Sequence, residues 1–256
     1  MSGLSLNTKR RWLAHLFVLL IFGGWVAASF VTPAYVMPSP LTVSWRVLSF
    51  FQRMDLFQHV VATVAHVSIA LTLSLVLGTL LALVAHYVPV TRLLIEGRIA
   101  AFLNSFSSFG WAIVAIVWFG LNSSTVIFVV TVIVLPLVII NMLAALDSID
   151  AELTELGRSF TRNRLLNIKL VILPALYPFM FATARICFGV AWKVVLTAEL
   201  FGGNSGFGFI VNVARQDLDT ARIFAVVAIM IALFFLCDRF LFAPAQRALS
   251  KHYAEF

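Results

Sequence analysis

The chain has 256 residues, of which 62% are hydrophobic and only 11% are charged, and its mean hydropathy is +1.02. Soluble domains have about 45–50% apolar and about 25% charged residues, so the composition excludes an ordinary soluble fold and indicates an all-α membrane protein. The net charge of +7 could suggest nucleic acid as a partner. Basic residues also collect in the cytoplasmic loops of membrane proteins, and we favour that interpretation over nucleic-acid binding.

Six apolar runs are long enough to cross a membrane as helices. In chain order they are predicted at residues 12–31, 60–85, 99–119, 125–146, 170–198 and 223–243. The charge-free stretch 99–146 is too long for one span, and the sequence Gly120-Leu-Asn-Ser-Ser124 is a turn signal near its middle. An even number of spans places both termini on the same side of the membrane.

The distribution of basic residues predicts that both termini are cytoplasmic. With that orientation, twelve Lys and Arg residues lie in cytoplasmic segments and four lie in external ones. Residues 1–30 have an alternative interpretation as a cleavable signal peptide, because Lys9-Arg10-Arg11, an apolar stretch and Ala27-Ala28-Ser29 follow that pattern. The apolar stretch is long for a signal peptide, which favours a retained anchor.

An external segment, residues 37–58, follows the first span. It opens with Met37-Pro38-Ser39-Pro40, and its apolar residues then recur at helical spacing. These residues are Leu41, Trp45, Leu48 and Phe51. The pattern predicts a short amphipathic helix that lies at the membrane interface.

The cytoplasmic loop 147–169 is predicted to hold a second short amphipathic helix. Asp147, Ser148 and Asp150 are suitable N-caps. An apolar stripe follows at spacings of four, three and four, formed by Ile149, Leu153, Leu156 and Phe160. Acidic residues of the first turns and a later basic residue suit the helix dipole, namely Glu152, Glu155 and Arg158. Such a helix cannot bury its stripe in lipid, so it must pack on the membrane domain or on a partner.

This loop resembles the cytoplasmic motif of permease subunits of ABC importers. That motif has a Glu, a Gly six positions later, nine further residues and then Ile-x-Leu-Pro. Here Glu155, Thr161 and Val171-Ile172-Leu173-Pro174 stand at those spacings. Thr161 replaces the usual Gly, and Leu156-Gly157 replaces the usual pair of small residues.

Further segments resemble the nitrate, sulfonate and taurine branch of these permeases. They are Met37-Pro38-Ser39-Pro40, Trp118-Phe119-Gly120, Ala191-Trp192 and Ala198-Glu199-Leu200, and the resemblance covers roughly residues 36–250. The third span departs from the family, because Asn104-Ser105-Phe106-Ser107-Ser108-Phe109-Gly110 lacks the usual prolines.

The resemblance implies a type I ABC importer permease with six transmembrane helices in a bacterial inner membrane. Residues 1–58 would hold the N-terminus, the first span and the external helix, residues 59–243 the permease core, and residues 244–256 a cytoplasmic tail. Two copies, as a homodimer, would form the pore. Two cytoplasmic ATPase subunits would bind ATP and Mg²⁺, and a periplasmic binding protein would deliver the solute. This chain itself needs no cofactor or metal, and it has no G-x-x-x-x-G-K-[ST] motif for binding ATP.

Two groups of functional residues are predicted on this basis. The residues that would contact the ATPase are Ile149, Glu152, Leu153, Glu155, Leu156, Arg158, Phe160, Thr161, Leu173 and Pro174. The residues that would line the translocation pathway are Asn104, Ser105, Ser108, Arg185, Lys193 and Glu199. Charges inside a span are costly, so Arg185 and Lys193 should avoid lipid; the alternatives are that Arg185 pairs with a carboxylate and that Lys193 extends its amine outward.

The resulting expectation is ATP-driven uptake of a small solute, such as the anions nitrate, sulfonate or taurine. Import of a thiamine-precursor-like pyrimidine or another small organic nutrient, or a scaffold role for a degenerate permease, stays open. An intramembrane enzyme is disfavoured because the spans lack paired carboxylates or a histidine cluster. His59 and His66 are about 10.5 Å apart along a helix, which is too far for one metal ion. We therefore expect them to be ordinary hydrogen-bonded histidines.

Overall fold

The computed structural model describes residues 6–149, 164–242 and 244. All the secondary-structure elements in that part of the chain are helices, joined by short turns. The first four helices are α1 (Leu6–Val31), α2 (Pro40–Gln52), α3 (Met54–Tyr87) and α4 (Pro89–Ser105). The next five are α5 (Ser108–Phe119), α6 (Ser123–Ser148), α7 (Ile168–Gly202), α8 (Phe207–Gln216) and α9 (Thr220–Phe242).

Five of these helices are long and apolar enough to cross a membrane by length and composition, and a sixth is obtained if α4 and α5 are counted as one broken span. The six predicted spans correspond to these helices, with the bent pair α4 and α5 in the place of the third span. The predicted turn at residues 120–124 is also confirmed. Gly120 ends α5 with φ of 76°, and the side chain of Asn122 caps α6 by accepting a hydrogen bond from the Thr125 amide at 3.1 Å.

The third span differs from the single helix that we predicted at 99–119. The helical stretch begins earlier, at Pro89, and it bends by 88° between α4 and α5. Phe106 is extended, and Ser107 caps α5 by accepting a hydrogen bond from the Gly110 amide at 3.3 Å. The break has a local cause, because serine side chains compete with the helical hydrogen bonds and favour a new N-terminus.

The helices cluster into two compact units, which we call the flanking unit (residues 1–57 and 210–231) and the central unit (58–209 and 232–256). In the flanking unit, the indole N–H of Trp25 donates to the Pro38 carbonyl at 3.1 Å, and the Trp25 ring stacks on Phe224. The Thr220 hydroxyl donates to the Tyr35 carbonyl at 2.5 Å. These contacts join the segment before α2 to α1 and α9.

The amphipathic helix predicted after residue 37 is present as α2. Ser39 is its N-cap and Pro40 occupies its first turn, where a missing N–H costs nothing. Its packed face is formed by Val43 and Phe50, which are almost fully buried. The predicted apolar stripe lies on the other face and is exposed, as expected for a helix whose stripe meets lipid.

The central unit is packed through small residues at helix crossings. Gly78 of α3 lies so close to α6 that an added Cβ would come within 2.6 Å of Val138. An added Cβ at Gly202 of α7 would likewise come within 2.6 Å of the Thr125 side chain. Ala112 and Ala115 of α5 have no exposed surface. Close backbone approach of this kind is how membrane helices gain van der Waals contact in the absence of a hydrophobic driving force.

Candidate functional site

Most of the residues predicted to contact an ATPase lie outside the described residues. They are Glu152, Leu153, Glu155, Leu156, Arg158, Phe160 and Thr161. Ile149 is described, and it leaves α6 in an extended conformation with φ of −69° and ψ of 130°. Two of the proposed caps of the loop helix, Asp147 and Ser148, instead belong to the last turn of α6, because that helix continues further than its apolar run.

Leu173 and Pro174, at the far end of the motif, lie within one continuous helical segment. A helical turn, Arg164–Asn167, leads into π-helical residues Ile168–Ile172, and regular α-helix resumes at Leu173. Proline lacks an amide hydrogen and its ring crowds the preceding turn, so the widened turn ahead of Pro174 has a physical cause.

A cluster of charged residues, which we call the Asp147 cluster, lies where the loop begins. The Arg92 guanidinium donates to both oxygens of Asp147, at 2.6 and 3.3 Å, and to Glu96 at 3.1 Å. His86 Nδ1 lies 3.5 Å from the same Asp147 carboxylate. The bidentate geometry is the strong form of an Arg–carboxylate pair. Sequence reasoning missed this cluster because its members come from α3, α4 and α6.

The best-defined polar site of the central unit surrounds Glu199, whose side chain has no exposed surface. Its Oε1 lies 2.8 Å from His66 Nδ1, and its Oε2 accepts hydrogen bonds from the Thr63 hydroxyl at 3.0 Å and the Gly208 amide at 2.9 Å. We call these groups the Glu199 network. Since Thr63 and Gly208 both donate, the carboxylate acts as the shared acceptor.

The glycine-rich turn between α7 and α8 is fixed by the same part of α3. The Gly206 amide donates to His59 Nδ1 at 3.0 Å, and the Phe207 amide donates to the Thr63 hydroxyl at 2.9 Å. Gly206 has φ of +99°, and a Cβ there would overlap the Glu199 carboxyl group. Glycine is therefore required at this position by both its backbone conformation and the space available.

The contacts above give His59 and His66 a structural role in holding the turn after α7. Both histidines are hydrogen-bonded, as expected, His66 to Glu199 and His59 to the Gly206 amide. Within the described residues, no group of three His, Cys, Asp or Glu side chains could hold a metal ion. The Glu199 network and the hydrogen bond of His59 therefore hold the turn after α7 against α3, with a buried carboxylate as the central acceptor.

Arg185 of α7 forms a bidentate ion pair with Asp238 of α9, with both N–O distances 2.9 Å. The two side chains are only partly exposed, at 39% and 29%. This is the carboxylate pairing that we gave as the alternative to a pathway role. It lowers the cost of placing both charges in a span, because each neutralises the other.

In the part of the chain that the structure describes, no hydrogen bond or ion pair joins the remaining predicted pathway residues to one another. Lys193 is exposed on α7, whereas Glu199 on the same helix is buried. Asn104 and Ser105 are exposed at the end of α4, and Ser108 begins α5. The Ser105 hydroxyl donates to the Phe102 carbonyl at 2.6 Å, so part of this polar patch serves the helix break.

Comparison with known proteins gives a family match over residues 74–250. The matching family model is described as the inner membrane component of a binding-protein-dependent transport system. The chain is 27% identical over 210 residues to the Bacillus subtilis permease SsuC, whose name assigns it to aliphatic sulfonate transport, with 82% of this chain and 76% of SsuC covered.

Two further relatives are named for different solutes. The chain is 25% identical over 235 residues to the taurine transport system permease protein TauC of Escherichia coli, covering 89% of this chain and 85% of TauC. It is 29% identical over 218 residues to the riboflavin transport system permease protein RibX of Chloroflexus aurantiacus, covering 83% and 79%.

Proposed function

Because the chain belongs to the family of binding-protein-dependent transport system inner membrane components, we propose that it forms the pore of an ATP-driven importer for a small solute. The observation that carries the proposal is the family match across 177 residues that include α6 and α7 and the loop between them. The chain is a transport permease and not an enzyme, as its relatives are.

ATP and Mg²⁺ would be bound by a separate cytoplasmic ATPase in two copies. Each copy of the chain would contact one ATPase subunit through the amphipathic stripe of loop 147–169, which is too apolar to remain in water. ATP binding can drive transport only if this contact differs in strength between the inward-open and outward-open states. Two copies of the chain would form a homodimer around the pore, and a periplasmic binding protein would deliver the solute.

Both termini would lie in the cytoplasm. The distribution of basic residues supports this orientation, and two ion pairs support the assignment of segments to a common side. Arg46 and Asp219, from the two segments predicted to be external, form an ion pair of 3.3 Å. Arg92 and Asp147, from two segments predicted to be cytoplasmic, form another. Each ion pair thus joins segments to which the distribution of basic residues assigns the same side.

The solute would be a small anion of the sulfonate kind. The names of SsuC and TauC support this class, and the exposed cation of Lys193 on α7 would favour an anion along the pathway. The name of RibX keeps a second candidate open, which is an organic nutrient without a sulfonate group, such as a vitamin or vitamin precursor.

Substitution of the apolar stripe tests the coupling role. With the full chain assembled with its ATPase in liposomes, we expect Leu156→Asp to reduce binding-protein-stimulated ATP hydrolysis about tenfold or more, because a charge replaces an apolar contact worth about 1.5–3 kcal/mol. Glu155→Ala should give a smaller loss. Leu156→Met keeps the apolar surface and is the matched control. Unchanged hydrolysis and uptake in Leu156→Asp would remove the coupling assignment, and a bound ATPase that never responds to the binding protein would indicate a scaffold.

Neutralisation of Lys193 tests the assignment of an anionic solute. For an alkanesulfonate we expect Lys193→Gln to raise the KM for uptake about fivefold, which corresponds to an interaction of about 1 kcal/mol with one charge. Lys193→Arg should retain uptake because it keeps the charge. Riboflavin, which lacks a sulfonate, is the comparison solute. Equal alkanesulfonate uptake by the wild type and Lys193→Gln would show that Lys193 is not on the pathway.

A further inference from the structure

The glycine-rich turn between α7 and α8 is held to α3 by a histidine that acts as a hydrogen-bond acceptor. The Gly206 amide donates to His59 Nδ1 at 3.0 Å, and we call this bond the His59 contact. A ring nitrogen accepts a hydrogen bond only if it carries no proton, so the proton of the neutral ring is on Nε2. A second proton would go to Nδ1, and two N–H groups would then point at each other. The His59 contact therefore exists only while the ring is neutral.

The second histidine of α3, His66, does not depend on the neutral form in this way. Its Nδ1 lies 2.8 Å from Glu199 Oε1, and the other oxygen of that carboxylate accepts hydrogen bonds from Thr63 and Gly208. The imidazole donates its Nδ1 proton to this acceptor, and it can do so in both the neutral and the protonated form. Of the two histidines, only His59 would therefore lose its contact when the ring gains a proton.

The surroundings of His59 allow its ring to gain a proton. His59 is partly exposed, whereas His66 is 3% exposed. The His59 ring stacks on Phe209, with ring centroids 5.6 Å apart, and the negative face of an aromatic ring tolerates a positive charge. The ionisable groups to consider are Glu199 and His66, which bond to each other beside the turn, and Asp55, four residues earlier in α3. Histidine ordinarily changes its charge within the pH range of natural media, so the medium can control this ring.

Loss of the His59 contact would loosen the turn at its first fixed amide. The backbone amides of residues 206–208 donate in succession to three side chains, and the His59 contact is the first of these bonds. Gly206 is buried and has φ of +99°. A buried amide without an acceptor is strongly disfavoured, so the turn would have to move until the Gly206 amide reaches another acceptor or water.

We propose that His59 is a pH-sensitive switch that holds the turn after α7 at neutral and alkaline pH and releases it in acid. By the proposed topology α3 begins on the external side, so the switch would respond to the pH of the external medium. The effect on transport rests on the proposed function. Because this turn ends α7, which carries the proposed pathway residue Lys193, solute uptake should fall as the external medium becomes acidic.

Hydrogen exchange of the turn tests the switch without any transport measurement. The full chain in detergent would be compared at about pH 8 and about pH 5, which lie on either side of the usual titration of histidine. Mass spectrometry would follow deuterium uptake by peptides that cover residues 203–209, corrected for the intrinsic effect of pH on amide exchange. We expect protection of the turn to fall about fivefold in acid, as for the loss of one hydrogen bond.

Three variants separate the His59 contact from other effects of acid. In His59→Asn the side-chain oxygen can accept from Gly206 and does not titrate, so the turn should stay protected at both pH values. His59→Phe keeps a flat ring beside Phe209 but has no acceptor, so protection should be low at both. His15→Asn removes an exposed histidine of α1 and is the matched control, which should show the same pH dependence as the wild type.

Equal protection of the wild-type turn at both pH values would overturn the proposal. A pH dependence that persists in His59→Asn would also overturn it, because the titrating group would then lie elsewhere, as in the pair of His66 and Glu199. Full protection of the turn in His59→Phe would show that the His59 contact does not hold it.

Uptake by the chain assembled with its ATPase and binding protein in liposomes tests the consequence for transport. The ratio of wild-type to His59→Asn uptake should fall about fivefold when only the external medium is made acidic, matching the loss of one hydrogen bond. An unchanged ratio would overturn the link between the turn and transport. A pH-dependent turn in a chain that transports no solute would support the switch and contradict the proposed function, so the two failures can be told apart.

Discussion

Replacement of Glu199 by leucine is expected to destabilise the chain by about 3 kcal/mol. The change leaves three buried partners without their acceptor, namely the Thr63 hydroxyl, the Gly208 amide and His66. Each buried polar group that loses its hydrogen bond costs about 1–3 kcal/mol, and we use the lower end because polar groups in unfolded membrane proteins also find partners. The measurement is the free energy of unfolding of the full chain in mixed micelles as sodium dodecyl sulfate is increased.

Glu199→Gln is the matched variant, and we expect it to cost less than about 1 kcal/mol. Its amide oxygen can accept from Thr63 and Gly208, and its amide nitrogen can donate to His66 Nδ1 once the imidazole proton moves to the other nitrogen. If the leucine and glutamine variants are equally stable, the network contributes no stability. If both are strongly destabilised, the negative charge itself is required rather than the hydrogen bonds.

Substitution of glycine by alanine is expected to have opposite effects on the stability of the chain at Gly78 and at Gly189. At Gly78 a new Cβ would lie 2.6 Å from Val138 Cγ1, and Val138 is fully buried, so α3 and α6 must separate. We expect Gly78→Ala to destabilise the chain by about 1–3 kcal/mol. At Gly189 of α7 no atom lies within 4 Å of an added Cβ. There alanine should stabilise the helix by about 0.5–1 kcal/mol, since glycine is a poor helix former.

Both glycine variants can be compared in one unfolding series with the wild type. Because the two changes add the same methyl group to a helix, the difference between them isolates the helix crossing. Equal effects in the two variants would mean that Gly78 does not set the distance between α3 and α6. Solute uptake provides a second control. Gly189→Ala should retain uptake, and a loss of uptake in Gly78→Ala alone would then be attributed to its lower stability.

Local sequence patterns predict most of the helices and their caps. They fail at the third span, and the structure shows why. Ser39, Gly120 and Asn122 act as caps and turn residues through short-range backbone geometry, so sequence spacing is enough to find them. The break in the third span also had a local signal. The serines at 105, 107 and 108 are good N-cap residues, whereas hydrophobic length alone predicts one continuous helix there.

Contacts between residues that are far apart in the sequence cannot be predicted from local patterns. Glu199 and His66 are 133 residues apart, and Arg185 and Asp238 are 53 apart. Their pairing depends on how helices cross, which spacing along one helix does not determine. The sequence predicts Glu199 only as a pathway residue. No local pattern indicates that three side chains of α3 contact Glu199 or the glycine-rich turn after α7.

The Asp147 cluster has a mechanical consequence for any force that enters the membrane domain from the segment after Ile149. Asp147 is bonded to Arg92 on α4 and lies near His86 on α3. Part of a pull on the end of α6 would therefore be passed to the two neighbouring helices at the Asp147 cluster. The irregular backbone that follows Arg92 along α4 comprises the π-helical residues Ile95–Ala100 and the corner at Phe106 and Ser107, so bending would concentrate in this part of the third span.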